Sequence, residues 1–200
     1  MWLYEKTARE QGFEVICGVD EAGRGPLAGD VYAAAVILPF GFEINGLTDS
    51  KKLSEKKRDL LAPVIKKNAL AYCVSAANVD EIDRLNILNA TLLAMNRAIA
   101  GIGTKIDIAL VDGKHGKEKI NYKSEFIIKG DFFSANIAAA SILAKTERDK
   151  YMLELDKIYP QYKFSGHKGY GTKQHYELIE KYGISPAHRK TFLKNVLLGG

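Results

Sequence analysis

Residues 15–25 read Val-Ile-Cys-Gly-Val-Asp-Glu-Ala-Gly-Arg-Gly. An apolar run with the look of a buried strand stops on two adjacent carboxylates, Asp20 and Glu21. Burying an unpaired carboxylate is costly. Such an ending makes sense where something positive sits against it, such as a metal ion. The pattern recurs twice. Along IDIALVDG, residues 106–113, alternation puts Ile106, Ile108, Leu110 and Asp112 on one face. A short run at 125–129 then leads into Gly130-Asp131. Sites of open α/β sheets form beyond the carboxyl ends of their strands, and three strands ending in acid direct the reading there.

The rest of the chain supplies the other layers. Helix is expected at 3–11, stopped near Gly12, and strands at 13–20, 30–38 and 69–77. Ser54-Glu55 opens a charged helix, SEKKRDLLAPVIKK, with a kink or break expected near Ala62 because Pro63 sits deep inside it. Helices follow at 87–103 and about 133–157, then at 172–182 and 186–197. No repeat or linker interrupts this order. The expectation is an α/β chain with a mixed five-stranded sheet and helices on both faces. It forms one domain over 1–200, with 161–200 as a basic helical C-terminal segment.

The charge is unevenly placed. Residues 1–160 carry 22 basic and 22 acidic side chains, whereas 161–200 carry seven basic and two acidic. A basic segment points to a polyanionic partner; a solvated face is the plain alternative. Cys17 and Cys73, both in apolar runs, read as free buried thiols of a reducing compartment, so a cytoplasmic protein is expected. No apolar stretch is long enough to span a bilayer, and charges through MWLYEKTAREQG exclude a secretory signal. There is no CxxC or HExxH to support zinc.

If the first and fourth strands are neighbours, Asp20 and Asp112 end side by side. Glu21 points away in a straight strand, unless the chain bends at Gly23 and Gly25. Asp131, at a helix start, is favoured by the dipole. Four converging carboxylates form an oxygen-rich site suited to Mg²⁺ or Mn²⁺, and two such ions can clamp a phosphodiester. Taken singly, each acid reads as capped or salt-bridged; the shared strand-end placement shifts the weight. GRGPLAG is neither a P-loop nor a dinucleotide fingerprint. Ser50, Lys51 and Lys52 precede a helix and offer a phosphate contact. Tyr170, set between glycines in SGHKGYG, can stack on a sugar or base.

Together these stretches resemble the type 2 ribonuclease H family, ribonuclease HII, in its bacterial form. The matches are GVDEAGRGPLAG at 18, DSKKLS at 49, EIDRLNILNATLLAMNRA at 81, LVDGK at 110, KGD and IAAASILAK from 129, and HKGYGT at 167. The resemblance implies a ribonuclease H-like fold and a divalent-metal endonuclease acting on RNA in RNA/DNA hybrids and at ribonucleotides in duplex DNA. It implies cleavage on the 5′ side of the ribonucleotide, leaving 3′-hydroxyl and 5′-phosphate ends. Asp20, Glu21, Asp112 and Asp131 match the family's metal-binding carboxylates. Gly23, Arg24 and Gly25 match its junction-sensing motif, which reads the 2′-hydroxyl, and Tyr170 matches the tyrosine that stacks at the following deoxyribose.

Two positions depart from the family pattern. Asp30 replaces a common proline and reads as structural; Phe132-Phe133 stand where polar or basic residues are common and remove a phosphate contact. A monomer is expected, and TFLKNVLLGG shows no clamp-binding motif. The rival readings are an inactive nucleic-acid-binding module, which degenerate acids would mark, and a ribonuclease H that needs several ribonucleotides in a row.

Overall fold

The computed structural model describes residues 1–47 and 53–194. Ser50, Lys51 and Lys52 therefore lie outside the described residues, as does the last part of the helix expected at 186–197. The strands are β1 (Ile16–Ala22), β2 (Val31–Ile37), β3 (Ala71–Ala77), β4 (Ile108–Asp112) and β5 (Ser124–Ile127). They form one mixed sheet in the order β3-β2-β1-β4-β5. β1 runs antiparallel to β2 and parallel to β4, with Val19 opposite Val111. The helices are α1 (Leu3–Glu10), α2 (Glu55–Asn68), α3 (Val79–Leu85), α4 (Ile87–Gly101), α5 (Gly130–Phe133), α6 (Ala135–Ile158), α7 (Phe164–His167) and α8 (Lys173–Tyr182).

Alternation along the strands sorts their side chains into two cores. Cys17, Val19, Ala33, Ala35, Ala109 and Val111 pack beneath α4, against Met95 and Ile99. Ala34 and Val36 face α6, against Ala138 and Ile142. Alanines on both faces of β2 let a helix lie close on either side. α6 lies closest of all over Gly18, where a Cβ would fall 2.2 Å from the Asn136 carbonyl carbon. Asn136 ties the helix to the sheet: it accepts from the Leu38 N–H at 2.9 Å and donates to the Ile16 carbonyl at 2.9 Å. Buried Glu5, from α1, accepts from the Ser134 hydroxyl at 2.6 Å and the Asn136 N–H at 3.0 Å, capping the start of α6.

Several expected boundaries move. β1 starts at Ile16 instead of residue 13, because the Glu14 and Val15 N–H groups are taken by the Asp107 carboxylate. α2 runs unbroken through Pro63, which lies on the exposed side with Asp59, whose carbonyl can be solvated. The helix expected at about 133–157 is α6, its start moved to Ala135 because Ser134 adopts an extended conformation and caps it through the Ile137 N–H; the short α5 precedes it. α3 was not anticipated; its signal is the capping box Asn78-Val79-Asp80-Glu81. In place of a helix from 186, the described residues show only a 3₁₀ turn, Lys190–Phe192, because residues 187–189 pair with the 27–29 segment.

Candidate active site

The register of β1 and β4 carries Asp20 and Asp112 to the same end of adjacent parallel strands. Asp20 is buried, and its Oδ1 accepts from the Glu21 N–H at 2.7 Å. Ser141 of α6 also bonds its carboxylate. Burial first, then the negative charges of Glu21 and Asp112, raise the Asp20 carboxyl well above the usual range. Asp112 Oδ1 accepts from the Gly130 N–H at 2.7 Å, which ties the end of β4 to the start of α5. A Cβ on Gly130 would fall 3.4 Å from Asp112 Oδ1, an ordinary contact, and 2.6 Å from Ile137 Cδ1, the movable end of a side chain. The next residue, Asp131, is buried.

Glu21 follows a different course from the bend considered above. β1 stays regular through Ala22, with Glu21 opposite Ala33, so Asp20 and Glu21 emerge on opposite faces. Asp20 faces α6; Glu21 lines a cleft of about 200 Å³ with Arg24, Thr91, Asp112 and Lys114. Its carboxylate lies 3.5 Å from the Arg24 guanidinium. The two acids still share one electrostatic site, since each raises the cost of the other's charge.

Oxygen donors are the right type for a hard divalent cation. The nearby charges pressing on Asp20 are negative, as a cation-binding position requires. Among the described residues, no three His, Cys, Asp or Glu side chains stand close enough together to hold a metal ion between them. The chemistry of the donor set fits a metal.

Beyond Glu21 the chain turns at Gly23, whose φ of +99° places it in the left-handed region that favours glycine. A Cβ on Gly25 would lie 3.7 Å from Tyr170 Cε1, and the Leu27 N–H donates to the Gly169 carbonyl at 2.8 Å. Gly23-Arg24-Gly25 and Tyr170, 145 residues apart between Gly25 and Tyr170 in sequence, are thus brought together. Tyr170 is 45% exposed, leaving its ring accessible. Asp30 is mostly buried and bonds Tyr151, in keeping with a structural part. Phe132 and Phe133 are exposed beside Asp131, with Phe133 edge-on to Tyr4. Sequence reasoning missed Arg148, Arg189 and Ser141; no local pattern marks them, because they act on distant main chain or on Asp20.

A five-stranded mixed sheet with helices on both faces and acids at the ends of its paired parallel strands is a ribonuclease H-like nuclease architecture. The chain belongs to the ribonuclease HII family, whose sequence profile matches residues 17–195. It is 56% identical over 182 residues to ribonuclease HII of Neisseria meningitidis serogroup A, covering 90% of this chain and 94% of the relative. Ribonuclease H2 of Pyrococcus horikoshii superposes with a TM-score of 0.74 at 25% identity, over 89% of this chain and 93% of that one. RNase HII of Archaeoglobus fulgidus, solved in complex with PCNA, gives 0.72 at 25% identity, over 90% and 94%. The protein is a ribonuclease H, an endonuclease that hydrolyses phosphodiester bonds. Among the described residues no helix is long and apolar enough to cross a membrane.

Proposed function

We propose that the enzyme cuts RNA in RNA/DNA hybrids and incises duplex DNA on the 5′ side of a single embedded ribonucleotide. Asp20, Glu21, Asp112 and Asp131 would hold Mg²⁺ or Mn²⁺, in a two-metal site. The observation that carries this reading is the meeting of Gly23-Arg24-Gly25 with Tyr170 beside the carboxylates. A divalent ion bound there supplies positive charge to the reacting phosphate and lowers the pKa of water. Water would add to the phosphorus as the phosphate–O3′ bond breaks, and O3′ would take up a proton, which leaves a 3′-hydroxyl and a 5′-phosphate and starts excision of the ribonucleotide.

The carboxylates act on any phosphodiester, so the choice of RNA over DNA falls to their neighbours. The main chain at Gly23-Arg24-Gly25, which follows Glu21 after one residue, would meet a 2′-hydroxyl, the group that separates RNA from DNA. The exposed ring of Tyr170 stacks where the next sugar lacks that group. Ser50 and Lys51 add a phosphate contact ahead of α2. No clamp contact forms part of this reading, and the enzyme acts as a monomer from one domain. The cytoplasm, with its reduced thiols, is its proposed location.

The test is one duplex containing a single ribonucleotide, incubated with Mg²⁺ and with EDTA. Incision only with metal, at the 5′ side, with the all-DNA control intact, is the expected result. Cleavage in EDTA overturns the metal assignment, and equal cleavage of the control overturns the specificity.

A further inference from the structure

Behind the Gly23-Arg24-Gly25 turn lie two buried arginines that catalysis by carboxylates does not use. Arg189 is fully buried, and one guanidinium serves four main-chain carbonyls. It donates to Gly23 at 2.7 Å, Arg24 at 3.0 Å, Pro26 at 2.8 Å and Gly29 at 2.8 Å. Arg148, also buried, donates to the carbonyls of Ala28 at 3.3 Å, Asp30 at 3.3 Å and Lys168 at 3.2 Å. Neither forms an ion pair with a carboxylate among the described residues.

We infer that Arg189, backed by Arg148, is the positioning residue that aims the Arg24 and Gly25 N–H groups at the substrate. The inference rests on the proposed sensing role of this turn. In a trans peptide the carbonyl and the following N–H point in opposite directions, and no peptide bond here is cis. Pulling the Gly23 and Arg24 carbonyls inward therefore turns the N–H groups of Arg24 and Gly25 outward. A positive charge at the carbonyl end also polarises each peptide, which strengthens its N–H as a donor. Asp30 and Asp83 offset part of the Arg189 charge from beyond ion-pair distance; burying a guanidinium is costly all the same, and a loop could be tied down by neutral groups. Burial, and then the charge of Arg148, lowers Arg189 to about 9, so it stays charged at neutral pH. Gly23 completes the device: a Cβ there would lie 2.0 Å from Arg148 Nε, so only glycine lets the turn lie flat on the guanidinium.

The experiment compares single-turnover rates on a single-ribonucleotide duplex and on the same duplex with that one 2′-hydroxyl replaced by fluorine, which accepts a hydrogen bond poorly. In Arg189→Lys, one or two carbonyls keep a donor, but the fork geometry is lost. The ratio of the two rates should fall about tenfold or more, as when one donor of a preorganised site is removed. An unchanged ratio, or equal loss on both substrates, overturns the inference. Should Arg189→Lys not fold, Gly23→Ala makes the same test from the loop side, pushing the turn off Arg148; a retained ratio again overturns it. The wild type is measured in parallel. A wild type that prefers the hydroxyl, with the ratio unchanged in Arg189→Lys, removes only the positioning role. A wild type that cuts both duplexes alike removes the sensing reading on which the inference rests, and the inference with it.

Discussion

At the scale of single residues, Asp112 serves both the fold and the site. Its Oδ1 holds the Gly130 N–H, and its charge raises the Asp20 carboxyl. Asparagine keeps an oxygen for the first task and has no charge for the second. Asp112→Asn should therefore fold, with a melting temperature in EDTA equal to or above that of the wild type, since a like-charge repulsion is gone. Cleavage should fall by about a hundredfold or more if Asp112 is a charged metal ligand as proposed. A thermal melt and a single-turnover assay check both halves; near-normal turnover at saturating Mg²⁺ counts against the carboxylate assignment. Asp20 and Asp112 were legible in sequence because each ends an apolar run with the look of a buried strand. The direction of Glu21 was not, since the glycines after it permit a bend that the pairing of Glu21 with Ala33 forbids.

Among the elements, α6 does most to build the site. Its first turns lie on the sheet over Gly18, Ser141 reaches Asp20, and Arg148 reaches the Ala28 and Asp30 carbonyls. Its first half, SANIAAASILAK, is rich in alanine and serine, a composition that suits close packing on a sheet but does not say which strand lies beneath it. The break at Ser134 was hidden for a physical reason: the residue that caps the start of α6 is itself held by Glu5, 129 positions away. Gly18→Ala tests how tightly the layers are fixed. The added methyl meets helix backbone, which cannot swing aside like a side chain. We expect a loss of about 3 kcal/mol, at the upper end of typical overpacking costs, read as a lower urea midpoint. A midpoint like that of the wild type would mean that α6 shifts freely on β1.

On the scale of the whole molecule, the C-terminal segment is built into the site more than its charge implies. Of its basic residues, Arg189 is buried beneath the Gly23-Arg24-Gly25 turn, and Lys168 pairs with Glu55 at 3.4 Å. Its histidines are buried as well, and their protons run in one direction. The Ser185 N–H donates to His188 Nδ1 at 2.9 Å, so the His188 proton sits on Nε2. That N–H faces His175 Nε2 at 3.1 Å, which leaves His175 Nδ1–H to donate to the Tyr170 carbonyl at 2.9 Å. Stacked on His175, His167 accepts from the Gly169 N–H at 3.2 Å. A further proton on His175 or His188 would set two N–H groups against each other. Burial is the main cause that lowers both to about 4, with the charge of a neighbouring histidine acting in the same direction. An unfolded histidine titrates near 6.5, so the unfolded chain binds protons first as the pH falls. The stability due to these neutral rings is thus complete above about pH 6.5 and is lost between there and about 4. Glu5, Asp20 and Asp30 have raised values and act with the opposite sign, gaining stability on acidification. The histidine contribution must then be read as a difference. Melting temperatures in EDTA from pH 7.5 to 5 should fall less steeply for His188→Gln than for the wild type, even though the variant starts lower. Parallel curves would show that the histidine chain does not set the acid limit of the Tyr170 loop.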